Sequence, residues 1–158
     1  MSDTMIIGVG NRYRGDDGVG HLIAAGIEEL QLPDLQIVYA SGEAAGLMDL
    51  WAGHARVYIF DAVSSGAKPG TVFRFDAIET PVPSGFFNYS THAFSVAEAI
   101  ELARQISALP RELVVFGVEG EDFDHGVHVT PLVRDSVNKV VARVAKELSC
   151  TRPHCCAI

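Results

Sequence analysis

Three short runs of nearly pure apolar residues constrain this chain more than any other feature: Met5-Ile6-Ile7, Val57-Tyr58-Ile59-Phe60 and Leu113 to Val118. None alternates apolar with polar, so none suits a sheet with one face in water. Each reads instead as a strand covered on both sides. Covering both sides takes helices, and helical patterns stand between the runs. Val19 to Leu30 reads as one helix. A second is predicted from Ser90-Thr91-His92 to about Leu109, with Val96, Ala99, Ile100, Ala103 and Ile106 as its apolar stripe. The last has Thr130 as N-cap and Pro131 at the first helical position, and buries Val133, Val137, Val140, Val141, Val144 and Leu148. Leu35 to Ala40 adds a strand, Ala44 to Trp51 a short helix, and Arg56 to Ala62 the strand that holds the central run. Only Thr71 to Asp76 alternates, with Thr71, Phe73 and Phe75 on one face and Val72, Arg74 and Asp76 on the other. That is the pattern of a half-exposed edge strand. The order β-α-β-α-β-β-α-β-α predicts an α/β three-layer sandwich: a twisted, mostly parallel five-stranded sheet with an antiparallel edge strand and helices on both faces. One domain over residues 1–148 is expected, followed by a short flexible tail, 149–158.

Between the first strand and the first helix lies Gly8 to Gly20, GVGNRYRGDDGVG. Glycines let a backbone turn sharply and approach a ligand closely. A glycine corner opening a helix often binds phosphate, but this one lacks the pattern. The dinucleotide fingerprint needs a third glycine where Tyr13 stands, and no Gly-Lys-Ser/Thr follows. Asp16 and Asp17 would repel a pyrophosphate and attract a cation. The corner therefore reads as metal-binding. The plainer alternative is that Asp17 only N-caps the helix.

Ligands of open parallel sheets bind outside the carboxyl ends of the strands. Three side chains of ligand grade map there: Asp17 after the first strand, Asp61 late in the third, and His92 before the fifth. Glu43 and Glu119 lie on the same rim. Two carboxylates and an imidazole suit nickel or zinc with positions left open for water or substrate. Such a centre can act as a Lewis acid in hydrolysis. Taken singly, Asp61 could cap the loop after its strand and His92 could bond a backbone carbonyl. His21, His54, His125 and His128 read as solvated or structural, and Glu121, Asp122 and Asp124 as a solvated face. There is no Gly-x-Ser-x-Gly elbow and no cysteine before Cys150, which disfavours acyl-enzyme chemistry. Cys150, Cys155 and Cys156, with His154, read as a frayed end.

The net charge of −8 lacks the basic footprint that nucleic acid or an anionic membrane demands. No basic-then-apolar leader opens the chain and no apolar run approaches ~18 residues. A cytoplasmic protein, expected to be a monomer, is the reading.

The corner GVGNRYRGDDGVG, the FDA at Phe60 to Ala62, Pro69-Gly70-Thr71, STHAF at Ser90 to Phe94 and GVEGEDFDHGVHVTPLV at Gly117 to Val133 together resemble the nickel–iron hydrogenase maturation endopeptidases. The resemblance runs from about Met5 to Leu148. It implies a sheet flanked by helices on both sides and an enzyme that removes a short C-terminal extension from the precursor of a nickel–iron hydrogenase large subunit, after nickel insertion. It implies Asp17, Asp61 and His92 as the metal-contacting residues, with the spacing from Gly8-x-Gly10-Asn11 choosing Asp17 over Asp16. Nickel is the implied metal, either carried by the precursor or bound by the protein itself. Some members carry an aspartate followed by glycines after the second strand, where this chain has Ser41-Gly42-Glu43. Two rivals remain: a nonenzymatic nickel carrier using the same three residues, disfavoured by the lack of a histidine-rich tract, and a doubly wound nucleotide-binding domain, disfavoured by Tyr13 and the paired aspartates.

Overall fold

The computed structural model describes residues 3–41, 46–83, 85 and 95–150. Its strands are β1 (Thr4–Val9), β2 (Leu35–Ala40), β3 (Arg56–Val63), β4 (Val72–Asp76) and β5 (Glu112–Glu119). Its helices are α1 (Val19–Glu29), α2 (Leu47–Trp51), α3 (Val96–Gln105) and α4 (Pro131–Cys150), with a single 3-10 turn at Gly15–Gly18 ahead of α1. The sheet order is β2-β1-β3-β5-β4. All neighbours are parallel except β4, which runs antiparallel on β5 at one edge.

The unalternated runs divide by parity, as strands buried on both faces must. Met5, Ile7 and Val9 of β1, Val57, Ile59 and Val63 of β3, and Leu113 and Val115 of β5 share one core with Leu47 and Trp51 of α2 and Val96 and Ile100 of α3. Ile6, Tyr58, Phe60, Val114 and Phe116 share the other with Ile23 and Ile27 of α1 and Val133 and Val140 of α4. Each such aliphatic side chain contributes about 1.5–3 kcal/mol on full burial. Helices thus cover both sides of the sheet, as expected. On the edge strand, Phe73 and Phe75 pack partly inward while Arg74 and Asp76 are exposed. Arg74 crosses to α4, donating to Glu147 at 2.9 and 3.2 Å.

Helix α3 departs from the prediction. It begins at Val96, six residues later than expected, and its N-cap is Ser95, in extended backbone, whose hydroxyl accepts from Glu98 N–H at 3.4 Å. Ser95 and Glu98 have the S-x-x-E spacing of a capping box. The helix also stops at Gln105 rather than Leu109, because Ser107 takes a left-handed backbone (φ 58°) that no helix interior tolerates. Helix α4 starts as expected: Pro131 is its first residue and the Thr130 carbonyl accepts from Arg134 N–H at 2.9 Å. Among the described residues no helix is long and apolar enough to cross a membrane.

Candidate active site

Strands β2 and β3 flank β1, so the chain leaves β1 in one direction and returns on its other side. The crevice between β1 and β3, above their carboxyl ends, is therefore the topological switch point. The glycine corner sits over it. Gly10 holds φ +140°, and a Cβ there would land on the Asp17 carbonyl. Gly20, in the first turn of α1, lies so near the carbonyls of Val9 and Phe60 that a Cβ would collide with both. These two glycines let the helix start directly on top of the strand ends. Asp17 is three residues before Gly20, and Asp61 directly follows Phe60. Asp61 thus lies one residue beyond Phe60, whose pairing with Gly8 is the last between β1 and β3.

Asp17 is buried, and its Oδ2 accepts from Asn11 N–H at 3.0 Å. Its Oδ1 is also buried and has no hydrogen-bond partner among the described residues. The plainer reading of Asp17 as an N-cap fails: α1 is capped by Gly18 without any side-chain bond. A buried carboxylate oxygen without a donor is costly, and a cation bound there would offset that cost.

Asp16 is different in every contact. It is fully buried, and its carboxylate accepts from four donors: Glu121 N–H (2.7 Å), Asp122 N–H (3.0 Å), Thr130 N–H (2.7 Å) and the Thr130 hydroxyl (2.9 and 3.0 Å). Backbone bonds reinforce the same seam: Gly15 N–H to Gly126 O, Asp16 N–H to Asp122 O and Gly126 N–H to Tyr13 O, each 2.8 Å. The loop between β5 and α4 is thereby zipped to the glycine corner. The Thr130 hydroxyl, expected to cap α4, is committed to Asp16.

Asp61 is buried within β3, which runs on to Val63, and pairs in register with Gly117. Its Oδ1 accepts from Ala62 N–H at 2.8 Å. By alternation it belongs to the row of Val57, Ile59 and Val63, the face that α2 and α3 cover. The loop after β3 is held by Glu119, which is buried. Its carboxylate accepts from Ser65 N–H (2.9 and 3.1 Å), the Ser65 hydroxyl (2.6 Å) and Gly66 N–H (3.1 Å). His92 and Glu43 lie outside the described residues, as do His154, Cys155 and Cys156. In sequence, His92 stands three residues before Ser95, the cap of the helix packed on Asp61's face. Among the described residues alone, no group of three His, Cys, Asp or Glu side chains could hold a metal ion.

The other histidines fall as expected. His21 donates its Nε2–H to the Ala40 carbonyl at 2.8 Å and sets its ring edge-on to Tyr39. His125 and His128 are exposed, together with Glu121, Asp122 and Asp124. Sequence reasoning missed one feature of the rim. A groove of about 570 Å³ runs from Gly18 along α1, lined by Arg12, His21, Leu22, Tyr39, Val127 and Val129. Leu22, Tyr39 and Val127 are large apolar side chains left exposed there, the mark of a surface that meets a partner. Burial, together with the bond its hydroxyl donates to Glu28 at 2.6 Å, pushes the Tyr39 phenol up to about 12.

The sequence model of a family described as hydrogenase maturation protease matches residues 23–147. The hydrogenase 2 maturation protease of Escherichia coli K12 is 28% identical over 148 residues, spanning 91% of this chain and 89% of its own length. A putative hydrogenase maturation protease of Methanocaldococcus jannaschii is 26% identical over 147 residues, with 89% and 88% covered. Among solved structures, an endopeptidase from Escherichia coli superposes with a TM-score of 0.78 at 27% identity over 92% of this chain and 91% of that one. A NiFe hydrogenase maturation protease from Thermococcus kodakarensis shares the fold, with a TM-score of 0.71 at 22% identity over 94% and 93% of the two chains.

Proposed function

The chain belongs to the hydrogenase maturation protease family, a family of endopeptidases, and from that premise we propose that it removes the C-terminal extension of a nickel–iron hydrogenase large-subunit precursor after nickel has been inserted. Asp17, Asp61 and His92 are the residues proposed to contact the nickel. The observation that carries this reading is the buried Oδ1 of Asp17, which has no hydrogen-bond partner among the described residues and lies beside the switch-point crevice. Two carboxylates and one imidazole fit a borderline divalent cation that keeps positions open.

Asp17, Asp61 and His92 would hold nickel there, whether it arrives in the precursor or is bound by this protein, and it would supply Lewis-acid chemistry at the scissile carbonyl. Everything else is supplied by the chain. The Asn11 N–H fixes one oxygen of Asp17, which sets the direction of the other. The Ala62 N–H does the same for Asp61 Oδ1. The groove from Gly18 past Leu22 and Tyr39 receives the polypeptide beside the bond to be cut, and its Arg12 offers an anionic side chain a partner.

The test is the intact mass of a large-subunit precursor after incubation with this protein, with and without nickel, and with Asp17→Ala as control. Loss of a short C-terminal peptide that Asp17→Ala abolishes is expected. Cleavage of nickel-free precursor in metal-free buffer at the full rate would sink nickel recognition. No mass change in any sample would leave the carrier reading, which uses the same three residues without cutting a chain.

A further inference from the structure

We propose that Asp16 is the positioning residue of this site: it clamps the loop between β5 and α4 against the glycine corner and so fixes where Asp17 presents its unbonded oxygen. The inference rests on the reading that Asp17 faces the metal. Three observations carry it. First, Asp16 is fully buried and every contact its carboxylate makes is to a donor: two loop amides, the Thr130 amide and the Thr130 hydroxyl. With both oxygens so engaged, it has no capacity left for a cation, although it sits one residue from an oxygen that lacks a partner among the described residues. Secondly, the donors lie 105 to 114 residues away in sequence. The clamp therefore joins the two segments that must be in register for the crevice to be complete. Thirdly, Asp17's own peptide is set by the same seam, since Asp17 N–H donates to Arg14 O at 3.2 Å and Arg14 bridges to Gly126. The paired aspartates thus divide the work. Asp16 spends both oxygens on protein donors, whereas Asp17 spends one and keeps Oδ1 without a protein donor among the described residues.

Groups that orient a ligand from behind typically change metal affinity about 10–100-fold when removed. The test titrates nickel alone into the wild-type protein and into Asp16→Asn, Thr130→Val and Thr130→Ser, with amide hydrogen exchange recorded at Glu121, Asp122 and Thr130. Asn keeps the shape of Asp16 but turns a donor toward donors. Val removes one donor, and Ser restores it. Expected is loss of amide protection and a 10–100-fold weaker nickel affinity in Asp16→Asn, a smaller drop in Thr130→Val, and wild-type behaviour in Thr130→Ser. If Asp16→Asn does not fold, Thr130→Val against Thr130→Ser decides the matter. Lost protection with unchanged nickel affinity would overturn the proposal, because the clamp would then be structural only. A wild-type protein that cuts the precursor yet takes up no nickel also overturns it while leaving the endopeptidase reading standing. One that does neither removes both.

Discussion

Neighbouring aspartates in one buried corner allow a comparison in which shape, position and burial are nearly constant. Consider Asp16→Asn beside Asp17→Asn. At Asp16 the amide can keep its oxygen toward Glu121 and Asp122, but its NH₂ then faces the Thr130 N–H and hydroxyl. At least one backbone donor is left buried and unpaired, at about 1–3 kcal/mol, and the surviving bonds fall from charge-assisted to neutral strength, about 1 kcal/mol or more each. A net loss of about 3 kcal/mol follows. At Asp17 the oxygen bonded to Asn11 N–H is retained, and the atom replaced is the one with no partner among the described residues. Removing that charge relieves about 1–3 kcal/mol of desolvation. It forfeits about 1 kcal/mol of charge-assisted bonding and about 0.3–1 kcal/mol of interaction with the α1 N-terminus. The two sides nearly cancel. Thermal melts in metal-free buffer should therefore show Asp16→Asn about 6–12 °C below wild type and Asp17→Asn within about 3 °C of it. Precursor cleavage by Asp17→Asn should be abolished despite its intact stability. Equal destabilisation of the two variants, or an Asp17→Asn melt lowered by more than about 6 °C, would refute the argument, because Asp17 would then be serving the fold.

Gly20→Ala should destabilise the protein by more than about 3 kcal/mol or prevent folding, because its Cβ meets two backbone carbonyls that cannot swing aside; a chemical denaturation curve decides it, and near-wild-type stability would be the contrary result. Burial, opposed by Arg56 and aided by Glu147, raises the Tyr58 phenol to about 12 from the usual 10. The folded state therefore favours the protonated phenol, whose stabilisation is complete below pH 10 and is lost as pH rises through about 12, some 2–3 kcal/mol in all. Melts between pH 9 and 12 should fall less steeply in Tyr58→Phe than in wild type, and identical slopes would be the failing outcome. Leu22→Glu puts a charge in the wall of the groove beside Gly18. It should raise KM for precursor about tenfold and leave kcat unchanged, whereas a fall in kcat alone would remove the groove from substrate binding.

What was legible in the chain followed from local chemistry. The unalternated runs announced strands buried on both faces, and Thr130-Pro131 announced the start of α4. The start of α3 was equally local, in Ser95 and Glu98, but Ser90-Thr91 offered the same capping chemistry five residues earlier and hid it. The order of strands was not legible, since nothing short-range says that β5 inserts between β3 and β4. At the rim, sequence placed Asp17 after β1 and Asp61 late in β3, and the structure has them there, both buried, while His92 falls outside the described residues. The separate duties of Asp16 and Glu119 were invisible for the same reason as the strand order. Each is defined by partners more than fifty residues away, with no pattern in the chain to link them.

That long reach bears on when the protein becomes able to act. A chain that has grown only as far as β3 already carries both aspartates of the crevice, yet the donors that clamp Asp16 have not been made. Closing a loop of more than a hundred residues is slow and comes late. Since a chain emerges from the ribosome N-terminus first, the corner is finished only when β5 and the head of α4 have docked. The glycine corner is thus completed last although Asp16 and Asp17 are among the first residues synthesised, and until then nothing holds Asp16's carboxylate in place.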